Sequence, residues 1–453
     1  RKRLSPAILI SMVVGFVDAL YIYIYLPVRA SLDPVVSWGN PSNWENFFRH
    51  VSGWQYRVWM FENDGQALGR NVRLFSRIFS GEIWIFMPVL LVIGLVMCIV
   101  SKKYRVLAIF LLLCLVDFFY SINYSIPDID SYYLPLIFGT VVLFGFGLAS
   151  VEKKWLYWSG VAIAAVAVLA GMMANVPKCN KSDDRFAEDM VYMMAAATPD
   201  SALLLIDNWD FYAPLFYIRT ARGFRQDIVP VDFALLKRSW YVEKLLRDYP
   251  EYFEPSRQYI ERFVEEVRPF ERRQNHNPAR IENAYREMIF SFVGFNVQAG
   301  RDVCTFMDWQ PLAERFAPST NGLFDVYTAG QVNVLPGGLF ELPDRGGLEE
   351  RRSYIVEQVG RRMAKGIMDL QTPGYYGAAI ELAQALWKTE PENVNFIQNI
   401  GVLHIRAGQF DEAESWFRRL EGRIPSDKLQ LIYNDLEKRR RADFFHQDER
   451  NRQ

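Results

Sequence analysis

Long apolar runs crowd the first 176 positions and then stop. Residues 6–28, 83–100, 106–123, 132–149 and 155–176 are nearly free of charge. Each approaches or reaches the roughly 17–25 residues that a helix needs to cross a bilayer. No comparable run follows. The pattern predicts a membrane region over 1–175, five spans with a long outer loop at 29–82, carrying a water-soluble remainder.

Two spans hold a single acid, Asp18 and Asp117. A buried intramembrane carboxylate is costly, so a functional role is the default. The competing reading is a hydrogen bond to a neighbouring helix through Tyr21, Tyr120 or Ser121. Between the first two spans, Leu68, Val72, Phe75 and Phe79 recur at spacings of three and four, with Arg70, Arg73 and Arg77 among them. This predicts an amphipathic helix over Asp64–Ser80 lying in the membrane interface. The same loop is dense in aromatics, including Trp38, Trp44, Trp54 and Tyr56, and turns at Gly39-Asn40-Pro41-Ser42, with Ser42 or Asn43 as a helix cap. Its aromatics read mainly as interfacial packing. The sharper reading makes them the floor of a pocket for a lipid-linked substrate, with Arg49, His50 and Arg57 on its phosphate. Residues 123–135 place Asp128, Asp130, Tyr132 and Tyr133 beside a span, with no basic residue. Carboxylates accept from sugar hydroxyls and rings stack on a pyranose, so these positions are candidate sugar contacts. A helix cap at Asp130 or Ser131 is the plainer alternative.

From 176 to 345 the pattern changes to alternating helices and short apolar strands. Ala202–Asp207 and Asp227–Asp232 read as buried parallel strands. Helices flank them at 182–197, 208–222, up to Tyr249, 256–271 and 279–298. Val303–Met307 and Asn333–Leu342 read as further strands, and the spacing implies a right-handed parallel crossover. No glycine-rich loop follows the first strand, so a dinucleotide site is unsupported. Asp207, Asn208 and Asp210 sit at a strand's C-terminal end, where α/β domains place ligands. A turn with a helix cap explains them equally simply and is preferred.

Residues 346–453 read as an all-α tetratricopeptide-like domain. Ala379 and Ala413, Leu386 and Leu420, and Pro391 and Pro425 share the 34-residue period of that repeat. Residues 428–441 follow as a capping helix. His404 takes the aromatic position of the repeat and reads as packing.

Charge orients the chain. Arg1-Lys2-Arg3, Lys102-Lys103-Tyr104-Arg105 and Lys153-Lys154 alternate with the acidic, base-free Asp128-Ile129-Asp130 loop. Short cytoplasmic loops are rich in Lys and Arg, which places 177–453 outside. The first run is too long for a signal-peptide core and further spans follow it. Residue 1 is not Met, so the chain reads as the C-terminal part of a longer protein. A net charge of −1 gives no field for nucleic acid. The four cysteines lack metal-ligand spacing. A Cys179–Cys304 disulfide is conceivable outside, but two unrelated buried thiols are preferred.

Several stretches converge on a resemblance: Tyr25-Leu26-Pro27-Val28-Arg29-Ala30, Trp38-Gly39-Asn40-Pro41, Phe48-Arg49-His50-Val51-Ser52-Gly53, Asn123-Tyr124 with Ile126-Pro127-Asp128, Asp207-Asn208-Trp209-Asp210, and Arg225-Gln226-Asp227-Ile228. Together they resemble the transmembrane family of unknown function described as protein O-mannosyltransferase-like, with a GT-C glycosyltransferase fold and, commonly, C-terminal tetratricopeptide repeats. The resemblance covers about residues 20–345. It implies transfer of a sugar such as mannose from a polyprenyl-phosphate donor to a protein acceptor on the outer face of a bacterial inner membrane, with the lipid-linked sugar as donor substrate, no separate cofactor and no metal-ligating residue assigned. It also implies catalytic acids upstream of Arg1, which leaves no catalytic residue assigned here. The alternative is a non-catalytic membrane-anchored scaffold whose repeats bind a peptide or protein partner.

Overall fold

The computed structural model describes residues 6–35, 37–61, 65–81, 86–124, 126, 129–343, 350–371 and 374–452. Asp128 lies outside the described residues, as does the side chain of Asp130. The chain divides into two compact units, Arg1–Asp184 and Arg185–Gln453.

The first unit is helical. It runs through α1 (Pro6–Ala30), α2 (Trp44–Val51), α3 (Gly65–Gly81), α4 (Phe86–Val100), α5 (Tyr104–Ile122), α6 (Leu134–Leu148) and α7 (Lys154–Cys179). Four stretches among the described residues are long and apolar enough to cross a membrane: Ile10–Ala30, Tyr104–Ile122, Ser131–Leu148 and Lys154–Pro177. The run expected at 83–100 appears as the shorter α4, of 15 residues. Large apolar side chains stand exposed along these helices, among them Phe16, Ile22, Leu112, Phe138 and Met173. Apolar surface on that scale is normally covered by lipid or protein. Small residues hold α4 and α6 together. A Cβ on Gly147 would lie 2.9 Å from that of Met97 and 3.2 Å from the Gly94 carbonyl oxygen, so only glycine permits this crossing.

The second unit begins with α8 (Phe186–Ala196), β1 (Leu203–Ile206), α9 (Trp209–Arg222) and β2 (Val229–Asp232). Next come α10 (Ser239–Asp248), α11 (Pro250–Phe253), α12 (Arg257–Glu271), α13 (Pro278–Gln298), β3 (Val303–Thr305), α14 (Gln310–Phe316), β4 (Ser319–Thr320) and β5 (Asp325–Tyr327). The sheet order is β2-β1-β3-β5-β4. Strands β2, β1 and β3 are parallel, and β5 runs antiparallel to β3 and β4. Strand β1 is apolar throughout because both its faces are covered. Leu204 and Ile206 point into one core, while Leu203 and Leu205 point into the other, against α10, α12 and α13.

Asn333–Leu342 is not a strand. Pro336 cannot donate to a ladder and Gly337–Leu339 forms a 3₁₀ turn, yet Phe340 and Leu342 still deliver apolar side chains to the core.

The chain closes with α15 (Glu350–Asp369), α16 (Tyr376–Trp387), α17 (Val394–Arg406), α18 (Phe410–Arg418) and α19 (Ser426–Arg452), an antiparallel helical array. The array shares its core with the sheet. Leu204 and Phe324 belong to the same buried cluster as Met363, Ile400 and Leu436. At Gly366 the backbones nearly touch, since a Cβ there would lie 2.4 Å from the Gly322 carbonyl oxygen.

Candidate functional site

The first candidate region joins the segment between α1 and α4 to the residues after α5. Asn43 caps α2, its side chain accepting the Asn46 N–H at 2.9 Å. Asn46 in turn donates to the Asn40 carbonyl at 2.9 Å, tying the preceding turn to the helix. Met60 forms an isolated antiparallel bridge with Tyr124, and the Phe61 N–H donates to the Asn123 carbonyl at 2.8 Å. Asn71 of α3 donates to the Ile122 carbonyl at 2.9 Å. Residues 60–61 and α3 are therefore both tied to residues 122–124.

Three tyrosines pack there. The Tyr132 ring lies 5.2 Å from Tyr124 and 6.2 Å from Tyr120. Burial pushes the Tyr124 phenol well above its ordinary range, with Tyr132 adding to the shift. Tyr132 keeps an exposed edge. The N-cap position of α6 falls on neither Asp130 nor Ser131. Residues Ile129–Tyr133 make a 3₁₀ turn and Tyr133 is the N-cap of α6, without a side-chain bond. Asp117 of α5 lies near the backbone of Leu136 in the first turn of α6. Its Oδ2, Ser121 Oγ and Tyr133 Oη remain buried with no hydrogen-bond partner. Asp18 stands exposed on α1.

Arg49 is already engaged. Its guanidinium holds Glu45 at 2.6 Å and lies 5.3 Å from the centre of the Trp54 ring. His50 packs on the turn at Gly39, and its Nδ1 is buried without a partner. Arg57 donates to the Ser52 carbonyl at 3.3 Å. These side chains line one surface without converging on one point.

The second region is the C-terminal edge of the parallel strands. Asp207 follows β1, Asp232 ends β2, and Asp308 follows β3 after two residues. The β1/β3 junction is where the crossovers diverge, the place such sheets offer to ligands. Here it is occupied by the chain itself. Arg362 of α15 donates to Asp308 at 2.6 Å and lies 3.2 Å from Asp325. Lys365, one turn on, reaches Asp325 at 2.6 Å. Asp207 stays exposed on this rim. Loss of solvent around its carboxyl raises it above the usual carboxylate range, Asp308 adds to the rise, and Arg362 opposes it. Burial likewise raises Asp232, against the N–H groups of Leu235 and Ala234 that it accepts.

Asn208 is a helix cap, accepting the Asp210 N–H at 2.8 Å. Asp210 accepts from Arg351 of α15 at 2.7 Å, which ties α9 to the repeat array. Asp207 and Asp210 are thus separated in role, one on the rim and one in a tether. No local pattern announces Arg362 and Lys365, which meet their acids across more than 35 residues of chain. Among the described residues, no group of three or more His, Cys, Asp or Glu could hold a metal ion. Cys179 is exposed rather than buried, Cys304 is buried, and both thiols are free.

The third region is the exposed face of α17. Asn395, Gln398, Asn399, Val402 and Arg406 follow helical spacing and all face solvent. The opposite face buries Ile397, Ile400, Leu403 and His404. His404 is packed as its repeat position requires, its Nδ1 2.7 Å from Gln409 Oε1.

Residues 373–430 match the tetratricopeptide repeat family. No curated protein and no solved structure matches the chain. A repeat of this kind suggests a protein-interaction module.

Proposed function

We propose that the chain is a membrane-anchored protein whose C-terminal repeats capture a protein partner. The observation that carries this reading is the α17 face within the matched repeat. Asn395, Gln398 and Asn399 present amides, each both donor and acceptor, beside exposed Val402. Such a surface can pair with the backbone of an extended segment. The membrane assignment draws on the apolar helices of the first unit. A photoreactive side chain at Gln398 should give a discrete protein adduct in cells, whereas one at Arg418, exposed on α18, should not. Equal adducts at both sites, or none at Gln398, would remove the α17 face as the docking surface.

A second reading is sugar transfer from a polyprenyl-phosphate donor to a protein acceptor on the outer face. The partly exposed Tyr132 ring, backed by Tyr120 and Tyr124, favours it, because an aromatic ring close in sequence to Asp128 and Asp130 suits a pyranose. Asp128→Asn combined with Asp130→Asn should lower glycan on acceptor proteins at matched expression. Each lost charge-assisted hydrogen bond is worth roughly 1.5–3 kcal/mol, or about ten-fold or more in binding. Unchanged glycosylation in the double variant would retire this reading.

A further inference from the structure

Helix α13 carries a cavity of about 230 Å³ that none of the three regions above includes. Glu287, Ser291, Gly294 and Gln298 recur at spacings of four, three and four, so they line one face of the helix. Arg315 and Phe316 of α14 form one wall and Tyr259 of α12 another. Phe290 and Phe316 meet edge to face at 6.1 Å. Arg315 lies 5.9 Å from the centre of the Phe290 ring.

Two features mark this cavity as more than a gap in packing. The first is Gly294, about one turn before the C-terminal end of a 21-residue helix. Glycine weakens a helix interior. Its usual excuses are absent: its backbone is helical, and a Cβ would meet nothing nearer than the Phe316 ring at 3.8 Å. Alanine would fit, and a larger side chain would fill the floor. Packing does not require glycine at this position, and the missing side chain leaves the floor of the cavity open. The second is the pairing of free polar groups with rings. Glu287 and Arg315 line one cavity without an ion pair between them, so a carboxylate and a guanidinium both remain available over an aromatic floor.

We propose that this cavity binds a single carbohydrate ring. An apolar ligand would strip water from Glu287 and Arg315 without replacing it. An anion would face Glu287 and a cation would face Arg315. A neutral pyranose satisfies all the groups at once. Its C–H face covers the rings, while its hydroxyls donate to Glu287 and accept from Arg315 and Gln298. The volume is below the roughly 300–1,000 Å³ of sites for drug-sized ligands, as one ring requires. The inference is independent of the partner-docking reading.

The test is saturation-transfer difference NMR on the full chain in amphipol, which has no sugar head group. The probes are methyl α-glucopyranoside, methyl β-galactopyranoside and, as a contrast, phenylalanine. Transfer to at least one glycoside is expected with the wild type. Glu287→Gln and Arg315→Gln should each weaken it roughly ten-fold or more. Gly294→Leu, which fills the floor, should abolish it with helical circular dichroism retained. Should that variant misfold, the two polar variants decide. No transfer to either glycoside, transfer unchanged in the polar variants, or transfer to phenylalanine alone would overturn the proposal.

Discussion

At the scale of single residues, Arg225 shows what much of the distinctive sequence around the sheet is for. It sits at φ +45°, an uncommon conformation for a side chain of this size. Its guanidinium donates to the carbonyls of Thr198 and Pro199, both at 3.0 Å, and to that of Ala195. It also grips Asp227 through two bonds of 2.9 Å. Asp227 meanwhile accepts the Ser201 N–H at 3.1 Å. The Arg225–Asp227 pair therefore fastens the end of α8 to the start of β2. Arg219 of α9 does similar work, donating to the carbonyls of Ile228 and Gln226. Lysine cannot copy this planar fork. Arg225→Lys should cost roughly 1.5–3 kcal/mol in thermal unfolding of the full chain near neutral pH. Arg225 holds the Asp227 carboxyl below its usual value. A depressed carboxylate contributes stability above the unfolded value of about 4 and loses it as pH falls through the folded value. The deficit of the variant should therefore shrink in acid. A deficit that is absent at neutral pH, or constant down to acid, would deny the clamp its charge.

At the scale of elements, legibility follows the range of the interactions that make each one. The amphipathic helix expected over Asp64–Ser80 appears as Gly65–Gly81, and the helix expected over 279–298 as Pro278–Gln298. Period and caps are local, so a single sequence displays them. The parallel strands at Leu203–Ile206 and Val229–Asp232 were equally readable, since apolar runs covered on both faces need no alternation. Strands β4 and β5 have two and three residues, too few to show a period. Asn333–Leu342 has the opposite fault. It is apolar enough to be a strand but has no ladder, and its Leu335 N–H goes instead to the Asn321 carbonyl at 3.1 Å. The candidate sites divide the same way. The Asn208 cap and the packing role of His404 follow from neighbours in sequence. The Arg362–Asp308 and Lys365–Asp325 contacts exist only because α15 lies across the sheet edge, a tertiary fact that no periodicity encodes.

At the scale of the whole molecule, the remaining physical question is which side of a bilayer each loop meets. The base-bearing links Ser101–Arg105 and Val151–Lys154 and the base-free link at 126–130 lie at opposite ends of α5 and α6. The bias of short basic loops toward the cytoplasm then predicts Lys102 inside and residues 177–453 outside. Four native cysteines bear on the test. Cys98 and Cys304 are buried, Cys114 lies within α5, and Cys179 is exposed at the end of α7. Cys179 would react on its own, so the reporter chains also carry Cys179→Ser. Ser182 and Lys102 are both exposed and suit a single introduced thiol. In intact cells an impermeant maleimide should modify Ser182→Cys and spare Lys102→Cys until the membrane is opened. The reverse pattern would turn the chain over in the bilayer. It would place the repeats in the cytoplasm and withdraw the outer-face acceptor from the sugar-transfer reading, while leaving partner capture by the α17 face untouched.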